Sequence, residues 1–364
     1  MFKRLRSFLS SGNKRILFRA FRHEIQSDLQ ALLFNDRFSF RNRDPETAGK
    51  IKIAGLPGTS YGDHRSGWNY AVRSVASLHN PEGILLDPFI ERTFAWNPKG
   101  IKPHLEPWIG FIHVPPCIPP YLSRNQSNRE IFNTEAWKKS LPFCKGLFTL
   151  SEYHKMNLEP FPGVPVNNLL HPTEFPELTW SPELFLGNRE KKIVQIGWWL
   201  RKIYSIYRLN VNGYQKVFLR KNEDNMEEIM KMEFDHTPGK EFLTPECMAQ
   251  TKTMKFLSNT KYDQLLSENI VFLDLYDASA NNAVVECIAR NTPILVNPIA
   301  PVVEYLGADY PLYFGSLEEA AGKAADTALV LRAHHYLVNL PVKSRLTGDY
   351  FRQSLLSSSI YQSL

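Results

Sequence analysis

Short apolar runs alternate with stretches of helical period along most of this chain, and the alternation occurs twice. In the first half, residues 51–56, 83–86, 108–114, 145–150 and 166–170 are compact runs of Ile, Leu, Val and Phe. Runs this short, bounded by Gly, Pro and polar residues, predict buried strands. Between the first two, Trp68, Val72, Val75 and Ala76 fall on one side of a predicted helix over residues 69–78. Ser151 and Glu152 follow the fourth run as a helix-start signal. In the second half, residues 193–197, 270–275 and 293–296 are strand candidates, and residues 283–290 read as a helix. Residues 220–260 are polar and helical in parts, with a break at Pro238 and Gly239, and the tail over 318–364 is helical in pattern. Residues 173–189 are rich in Pro, Glu and Trp, show no period, and read as a linker.

Strand–helix alternation on both sides of a linker predicts two α/β domains with parallel sheets. Ligands of such sheets bind at the carboxyl ends of the strands, and with two domains the cleft between them is the expected site. The expected organisation is a basic helical extension over 1–45, a first domain over 46–175, a second over 190–325, and helices over 326–364 that pack back on the first.

A length of 364 residues suits two domains. With 43% hydrophobic and 12% aromatic residues the chain can build cores, which argues against disorder. Cys117, Cys144, Cys247 and Cys287 are scattered without metal-ligand spacing, which favours free thiols in a reducing compartment and argues against structural zinc. No apolar run approaches the ~20 residues that span a bilayer. The net charge of +6 is concentrated partly near the start, where Lys3, Arg4, Arg6, Lys14, Arg15, Arg19 and Arg22 are interleaved with Phe2, Leu5, Phe8, Leu9 and Ile16. Such a helix either docks on its own domain or lies on an anionic membrane through residues 1–25. The expected setting is cytoplasmic, peripheral to a membrane in the second case. No nucleic-acid motif is present, so no nucleic-acid partner is expected.

The densest chemistry lies between Asn269 and Gly315. A buried strand runs into the small polar loop Asp277, Ala278, Ser279, Ala280, Asn281 and Asn282, then into a helix that carries Glu286 in an apolar turn. Free N–H groups and the positive dipole end of that helix make an anion site. Arg201 and Lys202 follow Gly197 at the end of another predicted strand, and two cations there suit a phosphate. In the first half, the loop over 58–67 carries Gly62, His64 and Arg65, and His113 ends a strand. Asp63, Asp87 and Glu91 are carboxylates of the same half, and none is singled out as a base.

The ordered set Ser279-Ala280-Asn281-Asn282, Glu286-Cys287-Ile288-Ala289, Thr292-Pro293-Ile294-Leu295-Val296 and Val303-Glu304-Tyr305-Leu306 resembles the carboxyl-terminal domain of the retaining GT-B glycosyltransferases. The match covers about fifty residues in order and spacing; the rest agrees in layout. The resemblance implies a GT-B-like α/β fold: two Rossmann-type doubly wound domains with an interdomain cleft and a helical N-terminal extension. It implies sugar transfer from a nucleotide-sugar to a glycan, lipid or protein acceptor, with retention and without a metal or other cofactor. Glu286 then binds the ribose hydroxyls, and Ser279, Ala280, Asn281 and Asn282 face the diphosphate with Asp277 and Gly197 nearby. Arg201 and Lys202 neutralise the leaving group, His113 stands at the donor sugar, and Gly62 and His64 lie on the first glycine-bearing loop. The family's earlier glutamate, eight positions before Glu286, is Ala278 here, with Asp277 beside it. A sugar-nucleotide epimerase of the same architecture, and a noncatalytic nucleotide- or glycan-binding partner of a glycosyltransferase complex, are the alternatives.

Overall fold

The computed structural model describes residues 49–53, 66–96, 100–123, 127–158, 163–220, 226–255 and 257–364. The basic extension and most of the 58–67 loop, including Gly62, His64 and Arg65, lie outside the described residues. Two five-stranded sheets carry the fold. The first contains β1 (Ile51–Ile53), β2 (Ile84–Asp87), β3 (Trp108–Phe111), β4 (Cys144–Thr149) and β5 (Val166–Asn168), all parallel and in sequential order. The second contains β6 (Lys192–Ile196), β7 (Gln215–Leu219), β8 (Thr251–Met254), β9 (Ile270–Leu273) and β10 (Ile294–Val296), also parallel, in the order β10-β9-β6-β7-β8. That chain starts in the centre, winds outward through β7 and β8, and returns to the other side of β6. The order reverses between β6 and β9, and the crevice outside their carboxyl ends is where such sheets bind ligands.

The helices that matter for the site are α1 (Trp68–Ser74), α2 (Glu152–Leu158), α3 (Pro182–Gly187), α4 (Met226–His236), α5 (Asn259–Ser267), α6 (Asn282–Arg290), α7 (Ala300–Leu306), α8 (Gly348–Ser357) and α9 (Ser359–Gln362). Helix α6 starts sharply because the Asn281 side chain accepts from the N–H groups of Ala283 and Val284. It ends at Asn291, whose φ of 59° takes the left-handed cap that asparagine tolerates. Every residue of α6 from Ala283 to Arg290 is buried.

One expectation is corrected, and the linker gains detail. Strands β7 and β8 were not expected; β7 begins with Gln215 and Lys216, and β8 at the sheet edge exposes Lys252 and Thr253. The stretch 173–189 runs between the two sheets and is anchored along its length. Trp180 is 1% exposed, its N–H donates to the Arg290 carbonyl and its indole N–H to the Asn269 carbonyl, and α3 places Phe185 in the second core. Anchoring by single large residues leaves no period to read.

The chain returns at its end to where the described residues begin. Phe351, Leu355, Ile360 and Tyr361 from α8 and α9 join the first core with Ile51, Trp68 and Phe111, and Lys50 N–H donates to the Tyr361 hydroxyl at 3.0 Å. Phe351 stacks near Phe111 at 5.9 Å between ring centres. Phe351→Ala is therefore expected to destabilise the protein by about 3–5 kcal/mol. The urea midpoint should fall with an unchanged slope; a loss below about 1 kcal/mol would show that the tail is not part of this core.

Candidate functional site

The second domain brings one cation and one helix start to the same place. After β6 the chain turns at Gly197, whose φ of 71° is easy only for glycine, and again at Leu200, where φ is 56°. Between those turns Trp198 and Trp199 project, and Arg201 then bridges back to Leu275 at the end of β9. The Arg201 guanidinium donates from Nε to the Ile196 carbonyl, from Nη1 to the Trp199 carbonyl, and from Nη2 to Asn281 Oδ1 at 3.3 Å. Burial pulls its pKa down to about 10, so it stays charged at neutral pH.

Arg201, Ala280, Asn281 and Asn282 form one wall of a cavity of about 480 Å³. The opposite wall comes from the first domain: Trp68, Phe89, Trp96, His113, Val114, Leu150 and His171. His113 lies flat on Phe89 at 3.9 Å and edge-on to Trp68, with Nε2 3.0 Å from the Pro88 carbonyl. His171 holds Nδ1 2.9 Å from the Pro172 carbonyl. Each ring nitrogen facing a carbonyl must carry the proton. Burial drives both imidazoles to low pKa, about 3 for His113 and about 4 for His171, so both are neutral. The His113 backbone is fixed by Glu91, whose Oε1 accepts from His113 N–H at 2.8 Å and Val114 N–H at 2.7 Å.

Three residues expected to meet a ligand have hydrogen-bond partners in the other domain. Asp277 Oδ2 accepts from the Cys117 N–H at 2.8 Å and from the Tyr153 hydroxyl at 3.2 Å, and burial raises its pKa. The Ser279 hydroxyl lies 2.6 Å from His154 Nδ1 and accepts from Leu150 N–H. Glu286 is 3% exposed; its Oε1 accepts from the Ser66 hydroxyl at 2.5 Å and its Oε2 from the Tyr262 hydroxyl. Ala278 is buried as well. Lys202, adjacent to Arg201 in the chain, turns into a second cavity of about 640 Å³ and pairs with Asp274 at 2.8 Å. Gly197 supplies the turn rather than a cavity surface.

The Glu304-Tyr305 turn completes this seam. Glu304 accepts from the N–H groups of Glu152 and Tyr153 at the start of α2, and the Tyr305 hydroxyl accepts from His171 N–H while donating to the Leu150 carbonyl. Sequence reasoning missed Ser66, His154, His171 and Tyr262. His171 alone carried a local signal, a histidine before Pro172 where a strand ends.

Compared by sequence, the chain matches no protein-family model and no curated protein. Compared by structure, it is similar to solved proteins, synthases among them. An α,α-trehalose-phosphate synthase (UDP-forming) from Burkholderia vietnamiensis shares 12% identity at a TM-score of 0.52, over 81% of this chain and 76% of that one. The corresponding synthase from Burkholderia multivorans gives 12% and 0.52 over 81% and 74%. HepE from Anabaena, in complex with UDP and glucose, gives 12% and 0.53 over 71% and 72%. At these identities the likeness establishes the fold. This chain has the two-domain GT-B-like α/β architecture.

Glu91 offers a pH test of the first-domain wall. It is fully buried, its Oε2 has no partner among the described residues, and burial raises its pKa from 4.5 to about 7. The folded state therefore holds a proton that the unfolded state has released between those values, and stability falls as pH rises through that window. Glu91→Gln keeps an acceptor oxygen and removes the titration. Its stability relative to the parent should improve from pH 4.5 to 7 by up to about 1.4 kcal/mol per pH unit. Urea unfolding of both proteins at pH 5 and pH 8 reads this, and a pH-independent difference contradicts it.

Proposed function

We propose that this chain is a glycosyltransferase that moves a sugar from a nucleoside-diphosphate donor to a hydroxyl of a glycan, lipid or protein, with retention at the anomeric carbon. The observation that carries the reading is the cavity between the two sheets, where Arg201 and the start of α6 face an aromatic and imidazole wall. Departure of a nucleoside diphosphate builds negative charge, and a fixed guanidinium beside a helix N-terminus stabilises it with little reorganisation. Two of the similar structures are named for, or hold, the matching chemistry: a UDP-forming synthase, and a protein with UDP and glucose.

What the described wall offers as a base supports the reading of retention. The titratable groups of its described wall besides Arg201 are His113 and His171, and burial makes both poor proton acceptors. In the proposed step the acceptor hydroxyl oxygen bonds to the anomeric carbon as the bond from that carbon to the phosphate oxygen breaks. The acceptor proton passes to that departing oxygen, on the same face of the sugar. Arg201 and α6 supply the positive charge, so the reading calls for no metal. Ribose hydroxyls would replace the Ser66 hydroxyl on Glu286, one hydroxyl donor for another. The first 25 residues would hold the protein at an anionic membrane in the cytoplasm if the acceptor is a lipid. Ala278, where the resembled family has a glutamate, favours the second reading, a noncatalytic nucleotide- or glycan-binding partner.

Calorimetry with UDP and GDP tests the shared premise, and failure of both to bind at millimolar concentration sinks it. Arg201→Gln should weaken the nucleotide that binds by about 10–100-fold, as for loss of a charged hydrogen bond. Lys202→Gln should change affinity by less than about threefold, because Lys202 faces the other cavity and is already paired with Asp274. Proton NMR of the product gives the anomeric configuration. Binding without transfer or slow donor hydrolysis would select the noncatalytic reading, and interconversion of the nucleotide sugar without acceptor would select an epimerase.

A further inference from the structure

We propose that His171 is a specificity-determining residue of the cavity, whose Nε2 lone pair accepts a hydrogen bond from one hydroxyl of the sugar carried by the nucleotide. The proposal rests on the nucleotide-sugar reading above and names a residue and a sugar chemistry within it.

Three observations converge. The tautomer is set locally: the Pro172 carbonyl can only accept, so Nδ1 carries the proton and Nε2 presents a lone pair. The residue is also held in place. His171 N–H donates to the Tyr305 hydroxyl at 2.8 Å, that hydroxyl donates to the Leu150 carbonyl at 2.6 Å, and Trp68 packs edge-on at 5.7 Å between ring centres. Finally, Nε2 has no hydrogen-bond partner among the described residues, although His171 is 3% exposed and lines the cavity that contains Arg201. A lone pair held in a fixed direction at the wall of a cavity is open to a donor that enters it, and a sugar hydroxyl is such a donor.

The chemistry of the wall limits what can enter. A neutral imidazole with a fixed lone pair accepts from a hydroxyl and faces a carboxylate lone pair to lone pair. Trp68 and Trp198 line the same cavity, and aromatic side chains suit the C–H side of a sugar ring. The combination favours a neutral hydroxylated sugar over a uronic acid.

The test is calorimetric binding to the parent, His171→Phe and His171→Gln. The probes are UDP and GDP, UDP-glucose and GDP-mannose, UDP-glucuronate, and analogues of both neutral sugars with each hydroxyl replaced in turn by fluorine, which cannot donate. The parent should bind one fluoro analogue about 3–10-fold more weakly than its neutral sugar. His171→Phe should bind the neutral sugar with that same deficit and show no further loss on the analogue. His171→Gln, which offers an amide oxygen, should recover part of the discrimination, and the free nucleotide should bind all three proteins alike. UDP-glucuronate should bind the parent more weakly than UDP-glucose.

A structural role for His171 would instead weaken every sugar and analogue in proportion, and that outcome overturns the proposal. So does a parent that tolerates every fluoro analogue, a result that needs no variant to fold. Nucleotide binding without the analogue pattern removes this inference and leaves the proposed function standing. Absence of nucleotide binding removes both.

Discussion

The cleft depends on one helix of the first domain being gripped by the second. Four contacts converge on the first turn of α2: Glu304 accepts from two of its N–H groups, Asp277 accepts from the Tyr153 hydroxyl, and Ser279 meets His154. A carboxylate at a helix N-terminus satisfies orphan donors and interacts favourably with the dipole. Here that carboxylate comes from α7 of the other domain, so the two sheets are placed relative to each other by helix-capping chemistry. Asp277 is desolvated for the same purpose, and its three donors, from Cys117, Ala278 and Tyr153, offset the cost. The loop between β9 and α6 thus has two sides. Asp277 and Ser279 hold the first domain, while Ala280, Asn281 and Asn282 face the cavity.

The same division governs the cations. Arg201 and Lys202 are neighbours in sequence, yet the positive φ at Leu200 and the bridge to Leu275 send them to different cavities. Arg201 spends its donors on two backbone carbonyls and Asn281, which fixes the guanidinium without neutralising it. Lys202 is neutralised by Asp274, which also accepts from Ser205. Of the two, the cation without a carboxylate ion pair among the described residues is the one beside the helix N-terminus. Within the proposed function, a preorganised positive site at that point would meet developing charge without rearrangement, whereas a paired lysine would first have to break its ion pair.

What the sequence made legible follows burial. The central strands β6 and β9 are covered on both faces and read directly as apolar runs, whereas β7 opens with Gln215 and Lys216 and the edge strand β8 is only partly buried. The candidate anion site was legible because a strand, a small-residue loop and a helix start are contiguous. The partners of Glu286 were not: Ser66 lies 220 positions away and Tyr262 lies on the preceding helix α5, and no local pattern encodes either contact. Asp277 and Ser279 illustrate the limit of motif reasoning. A polar loop residue at a domain boundary serves either a ligand or the neighbouring domain, and the sequence alone does not say which.

Glu286 shows how both uses can share one group. Tyr262 holds one carboxylate oxygen and is itself fixed by Arg290, whose guanidinium lies 5.3 Å from the ring centre and pairs with Asp263 at 2.6 Å. The other oxygen accepts from Ser66, the residue that ends the loop over 58–67. Within the proposed function, a ribose hydroxyl arriving at that oxygen exchanges one neutral donor for another, so the exchange at the carboxylate itself is close to neutral. Net affinity must then come from contacts the apo protein does not already make, namely the charge at Arg201, the start of α6 and the open acceptors of the cavity wall. That places the diphosphate and the sugar, rather than the ribose, at the centre of recognition in this chain. Under the same proposal, the carboxylate closes the domain seam through Ser66 until a ligand brings a hydroxyl of its own.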